Sequence, residues 1–379
     1  MRVAIVTESF PPDVNGISHH AWQTARHLEL GGHEPLVVAP SAPPVRCDGG
    51  TPDEGRRPVV HVPTLPLPGR PALRYPLPGG RLTRALAAHR PHIVHLTAPA
   101  VLGARALAAA ARLGVPAVAV HLGPAPGRGT VRRGAAEAAW RRARALHHAV
   151  DRTLAPSTEA VRALADHGVP GALLWPPGVD TGRFHPGRRD LELRRALAPG
   201  GELIVGYAGR LVPAKRLDLL APLCVLPGVR VVLAGDGPSA PALRAALPGA
   251  RFLGCRRGDD LARILASLDV FVHPGRREGF CHTVQEALAS GVPVVAPAAG
   301  GPLDLVGHGR TGLLVRPDDA SALVEAVQTM EARRRQRVEY GLAARSSVLG
   351  RTWQVAVGEL VGHYREVVGR AARVGMGWE

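Results

Sequence analysis

The stretch Glu278 to Pro297, EGFCHTVQEALASGVPVVAP, constrains the fold more than any other part of the chain. An apolar strand at Val270 to His273 leads into it. Thr283 can cap a helix whose apolar face reads Val284, Ala287 and Leu288. Gly291 stops that helix, and Pro293 to Ala296 reads as a second short buried strand. Strand, loop, helix, strand puts the loop and the helix N-terminus at the carboxyl end of a parallel strand, where open α/β sheets bind ligands. Backbone N–H groups and the helix dipole favour anions such as phosphate there. Glu278 and Glu286, one in the loop and one in the helix, can accept hydrogen bonds from hydroxyls. Either carboxylate alone also fits a solvated surface position. Together they fit a ligand that carries phosphate between two sets of hydroxyls, which is the make-up of a nucleotide sugar.

The rest of the chain repeats the alternation. Arg2 to Thr7 reads as a buried parallel strand, followed by the loop ESFPPDVN and a helix from Ile17 to Leu30. Strands follow at Glu34 to Ala39, His92 to Leu96, Pro116 to His121 and Arg152 to Ala155. Helices lie at Ala98 to Leu113, Val131 to Val150 and Thr158 to His167. Ser41 to Arg81, rich in Pro and Gly, offers one strand, Val59 to Val62. A second series begins with the strand Leu203 to Ala208. Gly209 after that strand leaves room for a pyrophosphate, and Arg210 and Lys215 are placed to neutralise it. Lys215 is the only lysine among 47 Lys and Arg residues, so a chain that otherwise uses arginine keeps a compact ammonium here. Val229 to Ala234 ends in the turn Gly235–Asp236–Gly237–Pro238. A helix at Asp259 to Ser267, a largely helical stretch from Asp318 to Ala344 and a last helix from Trp353 to Ala372 complete the chain.

At 379 residues the chain is long enough for two domains, and 46% hydrophobic residues argues against disorder. It has no apolar run long enough to span a bilayer. The start, MRVAIVTESF, is a strand and no signal peptide. The four cysteines show no metal-ligand spacing and read as reduced thiols of a cytoplasmic protein. The net charge of +16 could attract an anionic membrane surface, and Arg132, Arg133, Arg141, Arg142 and Arg144 form a basic helix suited to it. A solvated helix face is the simpler use of the same residues. With 4% aromatics and no nucleic-acid motif, nucleic acid is not an expected partner.

The pattern E-x-F-(small)-x4-E-A-x-A-x-G-x-P-V-V, built on Glu278 and Glu286, resembles the donor-site signature of the family-4 retaining glycosyltransferases. G-R-L-x-x-x-K at Gly209 to Lys215 is similar to that family's phosphate clamp, F-x-P-x-x-N-G at Phe10 to Gly16 to its N-terminal loop, and WPPGVDTGRFHP at Trp175 to Pro186 to its interdomain linker. The variant around Cys281 and Thr283 resembles the branch of actinobacterial mannosyltransferases. The resemblance implies an α/β protein of the GT-B fold: two Rossmann-like domains facing a cleft, with a C-terminal helix crossing back to the first. The domains would be 1–185 on the acceptor side, 186–352 for the nucleotide sugar, and 353–379 for the returning helix. It implies that Glu278 faces the donor sugar, that Glu286 binds the ribose hydroxyls, and that Gly16 lets backbone N–H groups approach the phosphates. Gly209, Gly235, Gly279, Phe280, Cys281 and Thr283 would join them on the donor side. His121, delivered to a strand end, would lie near the reacting sugar. Arg210 and Lys215 would stabilise the leaving phosphate. Retention by a front-face route needs no protein nucleophile, so Glu278 is not given that role. No metal and no cofactor is expected beyond the nucleotide-sugar co-substrate, with GDP-mannose favoured and a small-molecule or lipid acceptor. Other nucleotide sugars, a same-fold epimerase and a non-catalytic membrane-binding protein are the alternatives.

Overall fold

Short apolar runs, the central ones almost wholly buried, form two parallel sheets. The computed structural model describes residues 1–41, 58–67, 70–77, 79–122 and 133–375. Contacts divide these residues into two units. The first takes those up to Pro177 and those from Trp353 onward, and the second takes Gly178–Thr352. The changeover falls inside the WPPGVDTGRFHP motif.

The first unit holds a seven-stranded sheet in the spatial order Val59–Val62, Glu34–Pro40, Arg2–Thr7, Ile93–Thr97, Ala117–Val120, Arg152–Ala155, Leu173–Leu174. All its pairings are parallel. Helix α1 (Gly16–Leu30) follows the first strand. Its N-terminus is capped by Asn15, whose side-chain oxygen accepts from the Ile17 and Ser18 N–H groups at 3.0 and 2.9 Å. The last helix, α2 (Trp353–Gly375), belongs to this unit. Trp353, Leu360 and Tyr364 enter its core, and the Trp175 indole donates to the Ala356 carbonyl at 2.8 Å.

The segment from Ser41 to Arg81 holds more regular structure than its composition indicates. Thr64–Leu67 pairs antiparallel with Arg70–Pro76, and Arg81–His89 is helical. Proline is tolerated in such a two-stranded pair, where one edge of each strand needs no ladder donor. The basic helix runs over Arg133–His148, and Arg132 lies outside the described residues.

In the second unit a six-stranded parallel sheet runs Arg251–Gly254, Val229–Ala234, Leu203–Ala208, Val270–Val272, Val294–Pro297, Gly312–Val315. The strand order reverses between Leu203–Ala208 and Val270–Val272. That reversal is the topological switch point of a doubly wound sheet, and the carboxyl ends of the two strands there open a crevice. Of the cysteines read as reduced, Cys224 and Cys281 carry free thiols, Cys255 is disulfide-bonded, and Cys47 lies outside the described residues.

Candidate active site

The switch point of the second unit gathers most of the sequence-selected residues. Leu203–Ala208 runs into Gly209 and the exposed Arg210, whose carbonyl accepts the Tyr207 hydroxyl at 3.1 Å. The neighbouring strand Val229–Ala234 runs into Gly235. A Cβ at Gly235 would lie 1.9 Å from the Gly209 carbonyl oxygen, so only glycine lets the two turns nest. Lys215 closes a short 3-10 turn, Pro213–Lys215. On the other side of the reversal, Val270–Val272 delivers His273, which is buried at 1% exposure.

These elements converge on one carboxylate. The Lys215 ammonium sits 2.5 Å from Glu278 Oε1, and His273 Nε2 lies 3.2 Å from the same oxygen. The Cys281 sulfur lies 3.6 and 3.8 Å from the two ring nitrogens of His273. Gly301 supports the loop from behind, its N–H donating to the Glu278 carbonyl at 2.8 Å. Burial opposes charge on Glu278, but the Lys215 and His273 charges outweigh it and bring its pKa down to about 2. Burial likewise opposes charge on His273, and Cys281 and Glu278 overcome it, raising the imidazole to about 9. The Cys281 thiol is lowered, because His273 more than offsets its burial. The site therefore holds a compact set of opposed charges, shielded on one side by the Tyr207 ring stacked 6.0 Å from His273.

Helix α3 (His282–Ala289) starts directly after this group. Its N-cap is Cys281, with no side-chain cap hydrogen bond, so Thr283 is not the cap that its type suggested. Thr283 is the second helical residue, its hydroxyl 3.7 Å from the Cys281 sulfur. Phe280 is buried with its ring edge toward His282. Glu286 is buried on this helix, and burial, then the nearby Cys281, lift its carboxyl to about 8. Asp180 and Arg183 of the linker motif supply the other charges near it.

Gly16 and His121 lie in the first unit and are not part of this cluster. Gly16 is exposed at the start of α1. His121 follows Ala117–Val120, its ring stacked on Trp140 at 6.0 Å and set edge-on to His147 at 5.5 Å. Burial lowers its pKa to about 4, so the ring is neutral near pH 7. Sequence reasoning missed His273. A histidine ending an apolar strand resembles any core residue, and its partners come from a loop that only the fold brings back. Among the described residues, His273, Glu278 and Cys281 also form a group whose donor atoms lie within 4.8 Å of one another, close enough to share a metal ion.

Residues 14–183 match the family described as Glycosyltransferase Family 4, and residues 202–332 match Glycosyl transferases group 1. The chain is 46% identical over 372 residues to a GDP-mannose-dependent alpha-mannosyltransferase of Mycobacterium tuberculosis, covering 98% of each chain. It is 47% identical over 377 residues to the protein of that name from Mycolicibacterium smegmatis, again covering 98% of each. The chain belongs to the family-4 glycosyltransferases. Within them it falls in the branch of these actinobacterial enzymes. Among solved structures, this glycosyltransferase superposes on sucrose-phosphate synthase from Thermosynechococcus elongatus with a TM-score of 0.80 at 19% identity, over 97% of this chain and 99% of that one. An Anabaena protein solved with UDP gives 0.78 at 20% identity, over 97% and 100%. These likenesses show the GT-B fold. No helix among the described residues is long and apolar enough to cross a membrane.

Proposed function

We propose that this glycosyltransferase moves a mannosyl group from GDP-mannose to an acceptor hydroxyl, with retention at the anomeric carbon and without a metal ion. The observation that carries the reading is the Lys215–Glu278 pair at the switch point of the second unit. A donor diphosphate entering there meets an ammonium, the exposed Arg210 and the turn at Gly209. In the reaction the bond from the anomeric carbon to the diphosphate oxygen breaks as the acceptor oxygen bonds to the same carbon. The acceptor proton passes to the departing phosphate oxygen. Lys215 and Arg210 stabilise the charge that develops on the diphosphate, which is the work a metal performs in other transferases. The ammonium already lies against the carboxylate that a cation would need. Glu278 faces the sugar, Glu286 takes the ribose hydroxyls, and the names of the relatives favour guanine as the base and mannose as the sugar. The enzyme would work in the cytoplasm, with Arg141 and Arg142, exposed on the basic helix, available for contact with an anionic membrane surface.

A thermal-shift series with GDP, UDP, GDP-mannose and UDP-glucose tests the donor, because a ligand stabilises in proportion to ln(1 + [L]/Kd). GDP and GDP-mannose should raise the midpoint most, and preference for the uridine ligands would overturn the donor assignment. With a synthetic alkyl α-mannoside as acceptor, NMR of the product should show the α-anomer, and turnover should survive EDTA. A β-linked product sinks retention. Loss of turnover in EDTA that a divalent ion restores sinks metal independence.

A further inference from the structure

His273, Glu278 and Cys281 present a nitrogen, an oxygen and a sulfur from three different elements: a strand end, a loop and a helix N-cap. This mixed donor set suits zinc-like ions far better than magnesium or calcium, which take oxygen ligands. The spacing fits as well. Bonds of about 2.0–2.3 Å to a tetrahedral ion place the donors on the order of 3.3–3.7 Å apart. The observed separations are 3.2 Å from His273 Nε2 to Glu278 Oε1 and 3.8 Å from the same nitrogen to the Cys281 sulfur. Space beside the donors is kept open by Gly275, where a Cβ would stand 3.3 Å from both Glu278 Oε1 and His273 Nε2. The Glu278 and Lys215 side chains keep 13% and 18% of their surface exposed. Two further groups touch the set, the Lys215 ammonium on Glu278 Oε1 and the Thr283 hydroxyl 3.7 Å from the Cys281 sulfur. A cation and this ammonium cannot share that oxygen without strong repulsion.

We infer that His273, Glu278 and Cys281 form a binding site for a thiophilic divalent cation, typified by zinc, and that the cation inhibits transfer by taking Glu278 away from Lys215. Binding stands on the donor set alone. Inhibition rests on the proposed roles of Lys215 and Glu278. The cation binds the thiolate and the neutral imidazole, so the Cys281 thiol proton and the His273 imidazolium proton are released to solvent as it enters. Lys215 loses its carboxylate partner, and the carboxylate assigned to the donor sugar is held by the ion. Donor and cation therefore compete.

The purified full-length protein, stripped of metal, is titrated with cobalt(II), whose thiolate complexes absorb in the near ultraviolet. A saturable charge-transfer band is expected at one cobalt per chain. It should vanish in Cys281→Ser and persist in Cys224→Ser, which alters the other free thiol among the described residues. His273→Asn, with circular dichroism to confirm folding, should weaken binding at least tenfold, the usual range for disturbing a metal shell. GDP-mannose should shift the titration to higher cobalt. No band, or a band that survives Cys281→Ser, overturns the site. In the transferase assay, zinc should cut turnover more than tenfold with recovery on adding chelator, and magnesium should not. A confirmed cobalt site with turnover unaffected by zinc overturns the inhibition and counts against Glu278 as the sugar-facing residue, while the metal site stands. Zinc that activates overturns the inhibition and the metal-independent reading together.

Discussion

The two units repeat one strand order and bury opposite kinds of polar group. The first buries neutral rings. His95 and His147 are pushed to about 3 and His121 to about 4, each chiefly by burial, and His20 lies well below its ordinary value for the same reason. The second buries an ionic cluster, with Glu278 near 2 and His273 near 9, beside Glu286, whose carboxyl burial lifts to about 8. A shared strand order thus leaves the electrostatics of a switch point undecided. What decides it is whether the loops return a counter-charge to the strand ends. In the second unit Lys215 and Glu278 come back beside His273. In the first, the loop after Arg2–Thr7 spends its two carboxylates on neutral donors: Glu8 accepts from the Ala100 and Gly103 N–H groups at 2.8 and 2.9 Å, and Asp13 from the Ser9 hydroxyl at 2.7 Å. The second unit thus carries the charged groups suited to phosphate chemistry.

The largest effect that sharpens this contrast is at Lys215. Lys215→Ala removes the ammonium from the ionic cluster and leaves the sheet intact. A charge-assisted contact to a leaving phosphate is worth roughly 2–4 kcal/mol in the transition state. Turnover should therefore fall between about thirtyfold and a thousandfold, with the unfolding midpoint changed little. Turnover within threefold of the parent protein would remove Lys215 from the chemistry. His121→Phe keeps a ring against Trp140 in the neutral unit and should cost less than Lys215→Ala by at least tenfold. An equal loss would erase the division of labour.

Next in size is a split inside the ionic unit. On the proposed assignment Glu278 faces the bond that breaks, so Glu278→Ala should lower kcat. On the same assignment Glu286 takes hydroxyls that change little during transfer, so Glu286→Ala should raise donor KM more than it lowers kcat. Each change should amount to roughly 1–3 kcal/mol. Steady-state kinetics with varied GDP-mannose at saturating acceptor reads the difference. One shared kinetic pattern for both variants would reject the sugar and ribose assignments.

Much of this was legible in the sequence, for physical reasons that also explain the omissions. Alternating apolar strands and capped helices announce parallel sheets, because the periods are local. Arg210 and Lys215 stand out because they follow a glycine at a strand end, and Glu278 and Glu286 because one lies in the loop and the other in the helix after a second strand end. His273 did not, since its role depends on a loop folding back over it. The helix cap moved from Thr283 to Cys281 because the chain turns helical at once after the buried thiol. The antiparallel pair Thr64–Leu67 and Arg70–Pro76 was hidden by prolines that normally signal loops. No local spacing announces a disulfide at Cys255.

The smallest expected effect per group is on stability, and it is the most direct test of the contrast. Histidines held neutral by burial protonate in the unfolded chain first, at about pH 6.5. Their stabilisation is complete above that pH and is lost as pH falls toward about 3 or 4, by about 1.4 kcal/mol per group per pH unit. His273 behaves oppositely. Its raised pKa stabilises the fold below about 6.5, and that contribution disappears as pH rises through about 9. The depressed pKa of Glu278 adds stability above the ordinary carboxylate value, lost only as pH falls through about 2. The first unit should therefore weaken first in acid and the second first in alkali. The chain supplies its own reporter, since Gly178–Thr352 contains no tryptophan while Trp22, Trp140, Trp175 and Trp353 all belong to the first unit. Urea unfolding followed by tryptophan fluorescence reads that unit, and far-ultraviolet circular dichroism reads both. At pH 5.5 the fluorescence transition should precede the dichroism transition, and at pH 9.5 it should follow. Coincident transitions at both values would mean that the two units unfold as one, and that the opposite burial of charge does not separate their stabilities.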